Sequence, residues 1–174
     1  MIPGSIKTYR MWSVILIFQI TLIFTGISEL KAQEPPPRPI RIYSTAQTLS
    51  FGAFYHGAGG GSITITPAGS RSSTGHVILL GLEIPFSAAL FYVHAHKGTV
   101  VSILLSPPVT LAGTPSGSMT LHINSSNPTS PFVSTVNFNV PTSLYIGGFL
   151  TVGHPAANPP GSYTGTFDIT IVRE

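Results

Sequence analysis

Cysteine is absent from the 174 residues of the chain. Its absence excludes disulfide bonds, cysteine-ligated zinc, iron–sulfur clusters and thiol nucleophiles, and it leaves no cysteine for a lipid anchor. Charged residues are also scarce, at 7 % of the chain, where a typical soluble domain has about 25 %. So little charge excludes coiled coils and acidic disordered tails.

The first 32 residues have the pattern of a secretory signal peptide. Lys7 and Arg10 precede residues 11–27, which carry no charge, and Ala32 follows a short polar stretch. This order predicts cleavage between Ala32 and Gln33 and an exported protein. The alternative is an uncleaved membrane anchor, but a spanning helix needs about 20 apolar residues. We therefore expect no membrane span after cleavage.

Much of the net positive charge of the whole chain comes from the predicted signal peptide. Removing residues 1–32 takes away three basic residues and one acidic residue, and it leaves five basic and four acidic residues. The five that remain are scattered singly along the sequence: Arg38, Arg41, Arg71, Lys97 and Arg173. Nucleic-acid binding needs a patch that neutralises several phosphates. We therefore expect no nucleic-acid partner.

The rest of the chain divides into a short leading segment and one β-rich domain. Residues 33–46 begin with a proline-rich spacer and end in a candidate first strand. Residues 47–174 alternate between apolar and polar positions, and Pro- and Gly-containing turns interrupt the alternation. Period-2 alternation indicates half-buried strands, the clearest of them at 62–66, 119–124, 132–140 and 163–171.

Weaker alternation predicts further strands at 48–54, 76–80, 90–96, 99–106 and 144–152. Eight to ten short strands without a good helix favour an all-β, immunoglobulin-like antiparallel β-sandwich over residues 47–174. The glycine cluster at 57–61 is interpreted as a flexible connection between two strands. Gly147 and Gly148, inside a strand pattern, indicate a bulge or a close backbone approach.

Several short segments resemble a known family in their order and spacing. They lie at 49–52, 66–71, 74–75, 117–121, 146–152 and 160–170, and the last reads PGSYTGTFDIT. In this the chain is similar to the bacterial exported domain-of-unknown-function 4402 family. The resemblance implies a sandwich like that of fimbrial subunits, exported by a Gram-negative bacterium to the periplasm, cell surface or medium. It implies no catalytic residue. The sequence departs from the family at 94–97, where His-Ala-His-Lys continues a strand.

The residues themselves give little support for catalysis. The two carboxylates outside the termini and the spacer, Glu83 and Asp168, have no visible reason to converge. No Gly-x-Ser-x-Gly elbow occurs. We expect no enzyme activity, no catalytic residue, no cofactor and no cofactor-binding residue.

Binding functions have weak candidates. His94 and His96 lie two apart on a predicted strand, so both imidazoles point to one face. They are weak metal candidates, because a third ligand would have to come from His122, His76 or Asp168; exposed polar residues are the simpler interpretation. Aromatic side chains can also stack on sugars, and the candidates for a glycan platform are Tyr43, Tyr55, Tyr92 and Tyr145.

An assembly function agrees best with the leading segment. Ile40 and Ile42 alternate with Arg41 and Tyr43, as in a strand that inserts into an apolar groove. Such a strand can pair with an open sheet edge of another chain. Alternatively, residues 40–46 form the ordinary first strand of their own domain. The sequence leaves both arrangements open, and the partner is a second copy or another envelope or surface protein.

Overall fold

The computed structural model describes residues 39–174. The predicted signal peptide, residues 1–32, and the spacer up to residue 38 lie outside the described residues. Thirteen strands form this part of the chain: β1 Arg41–Ser44, β2 Ser50–Phe51, β3 Phe54–Ile65, β4 Arg71–Leu79, β5 Phe86–Ser87, β6 Ala89–His94, β7 Val100–Leu105, β8 Val109–Thr114, β9 Ser118–Asn127, β10 Phe132–Val133, β11 Thr142–Val152, β12 Ser162–Thr164 and β13 Ile169–Arg173.

The largest sheet has eight strands and is organised around β11. Its main order is β1-β6-β11-β9-β8-β12, and every neighbouring pair is antiparallel. β11 is long enough to use one edge twice: residues 142–146 pair with β6, and residues 148–152 pair with β3. β4 then pairs with β3.

Two smaller sheets complete the fold. One has the order β10-β7-β13, and the other pairs β2 with β5. Ile103 of β7 and Phe51 of β2 belong to the same buried cluster as Ile63, Leu144 and Ile146 of the large sheet. The predicted class, an all-β antiparallel sandwich, is therefore confirmed. No helix that could cross a membrane occurs within residues 39–174.

The centre of the core lies under β3, β6 and β11. Its most completely buried large side chains are Ile63, Ile65, Val93, Leu144 and Ile146, each 0 % exposed. Each pair on one strand is separated by a single residue, because alternate side chains of a strand point to opposite faces. The alternation read from the sequence at 62–66, 90–96 and 144–152 thus corresponds to the strongest part of the fold.

The bulge predicted at Gly147 and Gly148 is confirmed. The β11–β9 register shifts between these two residues, where Gly147 pairs with Ser125 and Gly148 with Ile123. A Cβ on Gly148 would lie 2.5 Å from the carbonyl oxygen of His122. The bulge therefore needs glycine because the neighbouring backbone occupies the space of a side chain.

The prediction that residues 57–61 connect two strands is wrong. They lie inside β3, and its register with β4 shifts between His56, which pairs with Val77, and Gly61, which pairs with Gly75. The glycines wrap around His76: the Gly59 N–H donates to His76 Nδ1 at 3.2 Å, and a Cβ on Gly59 would collide with the ring. The glycine-rich composition resembles that of a loop, but here the His76 ring occupies the space where the β3–β4 pairing widens.

Two long predicted strands are shorter in the structure. The strand expected at 132–140 ends at Val133, because the Ser134 hydroxyl turns back to the carbonyl oxygens of Ala95 and Val136. The strand expected at 163–171 is divided into β12 and β13, which belong to different sheets. Residues 165–168 carry the chain between these sheets, so the alternation continues while the pairing partner changes.

Candidate functional site

β1 occupies an edge of the large sheet. Its four residues pair with β6 of the same domain, with Arg41 opposite His94 and Tyr43 opposite Tyr92. No strand within residues 39–174 pairs with its other edge. Residues 40–46 therefore follow the interpretation as an ordinary first strand in this structure, with one edge of hydrogen-bonding groups left open.

Only one face of β1 contributes to the core. Ile40 and Ile42, the two predicted assembly residues, pack partly buried against the core cluster. Tyr43 is 49 % exposed, and Arg41 and Ser44 are also exposed. The alternation between Ile and polar residues thus places the isoleucines toward the core, while the other three side chains of β1 are exposed.

A small aromatic and cationic cluster covers the end of the β1–β6 pair. Phe138 is its centre: the guanidinium of Arg41 lies 5.8 Å from its ring, and the His96 ring stacks on it at 5.1 Å. His94 Nδ1 donates to the Phe138 carbonyl oxygen at 2.8 Å. His94 also meets Tyr43 edge to face at 5.5 Å. Both histidine rings pack on Phe138, although β6 ends at His94 and His96 lies beyond the strand.

The histidines considered as metal ligands lie in different surroundings. One ring nitrogen of His94 is bonded to a backbone carbonyl, and Nε2 of His96 is buried without a hydrogen-bond partner. His76 accepts from Gly59, and His122 stacks on Phe149 at 4.4 Å. Within residues 39–174 no three His, Asp or Glu residues lie close enough to hold a metal ion.

The four candidate tyrosines for glycan binding do not form one platform. Tyr43 and Tyr92 are register partners on neighbouring strands, and both are exposed. Tyr55 is exposed on β3, and Tyr145 packs partly buried against the core. The two carboxylates considered for catalysis, Glu83 and Asp168, are both exposed, in loops after β4 and after β12.

A cavity of about 790 Å³ opens beneath part of the large sheet. Its floor is formed by five neighbouring strands, β6, β11, β9, β8 and β12, and the apolar floor residues include Phe91, Leu150, Leu121, Met119 and Leu111. The chain segments 47–54 and 159–167 form its walls, with Phe51, Phe54 and Phe167 among them. These are residue types that ordinarily fill the core of a β-sandwich. Their sequence therefore gave no sign that a cavity remains between them.

Polar contacts fix the walls of this cavity. The Tyr163 hydroxyl donates to the Pro159 carbonyl oxygen at 2.6 Å, and desolvation by burial raises the pKa of this hydroxyl. His56 Nε2 donates to the Asn158 carbonyl oxygen at 2.9 Å. The buried Asn158 side chain accepts from the Gly153 N–H and donates to the Ser118 carbonyl oxygen. The bonds of Asn158 connect the start of the 159–167 segment to the neighbouring strands, and the Tyr163–Pro159 bond closes the segment on itself.

Arg71 anchors the other wall. Its guanidinium donates to the carbonyl oxygens of Ala53 and Leu80, and it lies 5.3 Å from the Phe86 ring. Desolvation by burial lowers the pKa of this guanidinium. Because Arg71 binds backbone carbonyls next to β2, its charge stabilises the wall segment 47–54.

Comparisons with known proteins give one match. Neither curated proteins nor solved structures yield a match to this chain. A family model described as domain of unknown function (DUF4402) matches residues 42–172. This range includes β2 to β12, all but one residue of β1 and of β13, and the segments whose order suggested the resemblance. The chain belongs to the DUF4402 family.

Proposed function

We propose that the protein is an exported, non-enzymatic structural or adhesive subunit that assembles by exchanging β1 between copies. The observation that carries the proposal is the position of β1, an exposed four-residue strand paired with β6 alone. In an exchanged arrangement, β1 of one copy pairs with β6 of the next copy. Residues 45–49 connect β1 to β2, and this connection has to open for β1 to be exchanged.

The energetics support exchange of an edge strand. The same residues make the same contacts within one copy or between two, so exchange mainly changes the chain entropy. Ile42 of β1 and Ile40, which precedes the strand, are the apolar side chains that this segment packs against the core. Releasing it leaves the buried centre under β3, β6 and β11 in place. A chain of exchanges, each copy donating to the next, would build a linear polymer.

Export is supported by the sequence of residues 1–32. Metal binding would need a third ligand beside His94 and His96, and within residues 39–174 no three His, Asp or Glu residues lie close enough together to supply one. A glycan platform rests only on the Tyr43–Tyr92 pair, whose rings lie on the proposed exchange edge. Assembly is therefore the function that the β1 edge supports best.

A cross-strand disulfide tests the proposal directly. Tyr43→Cys and Tyr92→Cys together place two thiols at register partners in a chain that has no other cysteine. Paired antiparallel residues have Cα atoms about 4.5–5.5 Å apart, within the range that a disulfide spans. If β1 is exchanged, air oxidation of the purified protein links different copies. A ladder of linked species on a non-reducing gel is then expected, and reductant removes it.

The matched control is His122→Cys with Phe149→Cys, which are register partners in the middle of the same sheet. These positions are not exchanged, so their disulfide stays within one copy and gives a monomer band. Tyr43→Cys/Tyr92→Cys protein that oxidises completely to a monomer at every concentration would overturn the proposal. Equal ladders from both pairs would also contradict it, because they would show random collision instead of strand exchange.

A further inference from the structure

The cavity beneath the large sheet has the size of a ligand site. Its volume of about 790 Å³ falls within the range of about 300–1,000 Å³ that is usual for small-molecule pockets. Much of its floor is buried, and the apolar surface that stays accessible belongs to half-buried lining residues: Leu49, Phe54, Leu90, Phe91 and Phe167. A ligand that covers this surface removes it from water and thereby gains free energy.

Among residues 39–174, no charged side chain lines the cavity. The lining contains no Asp, Glu, Lys or Arg, and its two titratable residues, His56 and Tyr163, each donate to a backbone carbonyl. A charged ligand group would lose hydration without meeting an opposite charge, which is costly. The site therefore selects against carboxylates, phosphates and amines.

The rim offers neutral hydrogen-bonding groups instead. Hydroxyls of Ser44, Thr48, Ser162 and Thr164 surround the apolar floor, together with the amide of Gln47. Hydroxyls both donate and accept, so they suit an uncharged polar head group such as an alcohol or an ester. The lining thus combines an apolar interior with a neutral polar mouth.

The shape of the floor defines the body of the ligand. Phe91 pairs with Leu144, whereas Leu121 pairs with Leu150, six residues further along β11. Phe91 and Leu121 both line the cavity, so at about 3.3 Å per residue its lining extends about 20 Å along the sheet. A trough of this length accommodates an unbranched apolar chain.

We propose that this cavity binds an uncharged amphiphile with one alkyl chain and a hydroxyl or ester head, of the class of a fatty alcohol or a monoacylglycerol. Ser44 of β1 lies at the rim of this cavity, but the same residues line it whether β1 comes from the same copy or from another, so this proposal does not depend on the exchange. Its apolar floor offers a soluble oligosaccharide no hydrogen-bonding partners, and its uncharged lining offers a fatty acid anion no counter-charge.

The test uses a matched pair of probes that differ in charge, 1-decanol and decanoate. Each competes with the neutral dye N-phenyl-1-naphthylamine for the purified full chain at pH 8, where decanoate is ionised. Decanol is expected to displace the dye at a concentration at least about tenfold lower than decanoate, equivalent to about 1.4 kcal/mol. Equal displacement by both probes, or displacement by an oligosaccharide or an apolar peptide but not by decanol, would overturn the proposal.

Variants separate this cavity from other apolar parts of the chain. Thr166 is exposed and lines the cavity, whereas Thr170 is exposed on β13 outside it. Thr166→Trp is expected to obstruct the mouth and weaken decanol binding about tenfold, while Thr170→Trp leaves it unchanged. Thr164→Trp obstructs the same mouth from β12. It is a second, independent variant in case Thr166→Trp does not fold. If decanol displaced the dye equally well from both mouth variants, both molecules would bind outside this cavity, and the proposed site would be refuted.

Discussion

β11 and β1 belong to the same sheet but differ in how many strands hold them. β11 pairs with β6, β3 and β9, and its residues Leu144, Ile146 and Leu150 are at most 2 % exposed. β1 pairs with β6 alone and exposes most of its residues. The sheet therefore concentrates stability at its centre, while an edge strand can open locally at low cost.

The largest expected effect comes from a cavity at the centre. Ile146→Ala removes a side chain that is 0 % exposed and leaves a void that the surrounding strands cannot fill. The free energy of unfolding should fall by about 2–5 kcal/mol, measured by urea denaturation followed by circular dichroism. Ile78→Ala is the control, because Ile78 is 58 % exposed, and it should change stability by only about 0.5 kcal/mol. Equal losses in both variants would contradict a core centred on β11.

A smaller effect is expected where β3 passes the end of β11. Gly60 and Gly69 both have positive φ, so alanine at either position carries the same left-handed backbone cost of about 1–2 kcal/mol. A Cβ at Gly60 would also collide with the Val152 carbonyl oxygen, whereas nothing lies within 4 Å of one at Gly69. Gly60→Ala should therefore lose about 1–3 kcal/mol more than Gly69→Ala in urea unfolding. Equal losses would show that β3 and β11 can separate there.

The smallest effect is expected at the edge. Ile42 is only partly buried, so Ile42→Ala should reduce the free energy of unfolding by about 1 kcal/mol. Hydrogen exchange should show faster opening of β1, while the amides of β11 stay protected. A loss as large as that of Ile146→Ala, or equal exchange acceleration in both strands, would mean that β1 unfolds with the core and is not an independent edge.

The central strands could be predicted because their local pattern and their tertiary environment agree. Alternation over 144–152 corresponds to β11, and the two glycines within it mark the observed bulge. The strand predicted at 90–96 is present as β6, Ala89–His94, with Val93 buried. Alternation reports which face of a strand is buried, and these strands are buried on one face along their whole length.

The peripheral strands could not be predicted with the same accuracy. Alternation continues from Tyr163 to Ile171, but it does not show that the chain leaves one sheet for another at 165–168. At 57–61 the glycines indicated a loop, yet the ring of His76, distant in sequence, keeps them in a widened strand. β8 was not predicted, although it pairs with β9 and β12. Pairing partners are nonlocal, so no local pattern records them.

Composition, periodicity and short ordered segments were enough to predict the all-β class and the family. The pairing of β1 with β6 and the cavity of about 790 Å³ beneath the large sheet could be learned from tertiary packing alone. Both depend on how segments distant in sequence pack, and the space between apolar side chains is fixed by that packing and not by their identities.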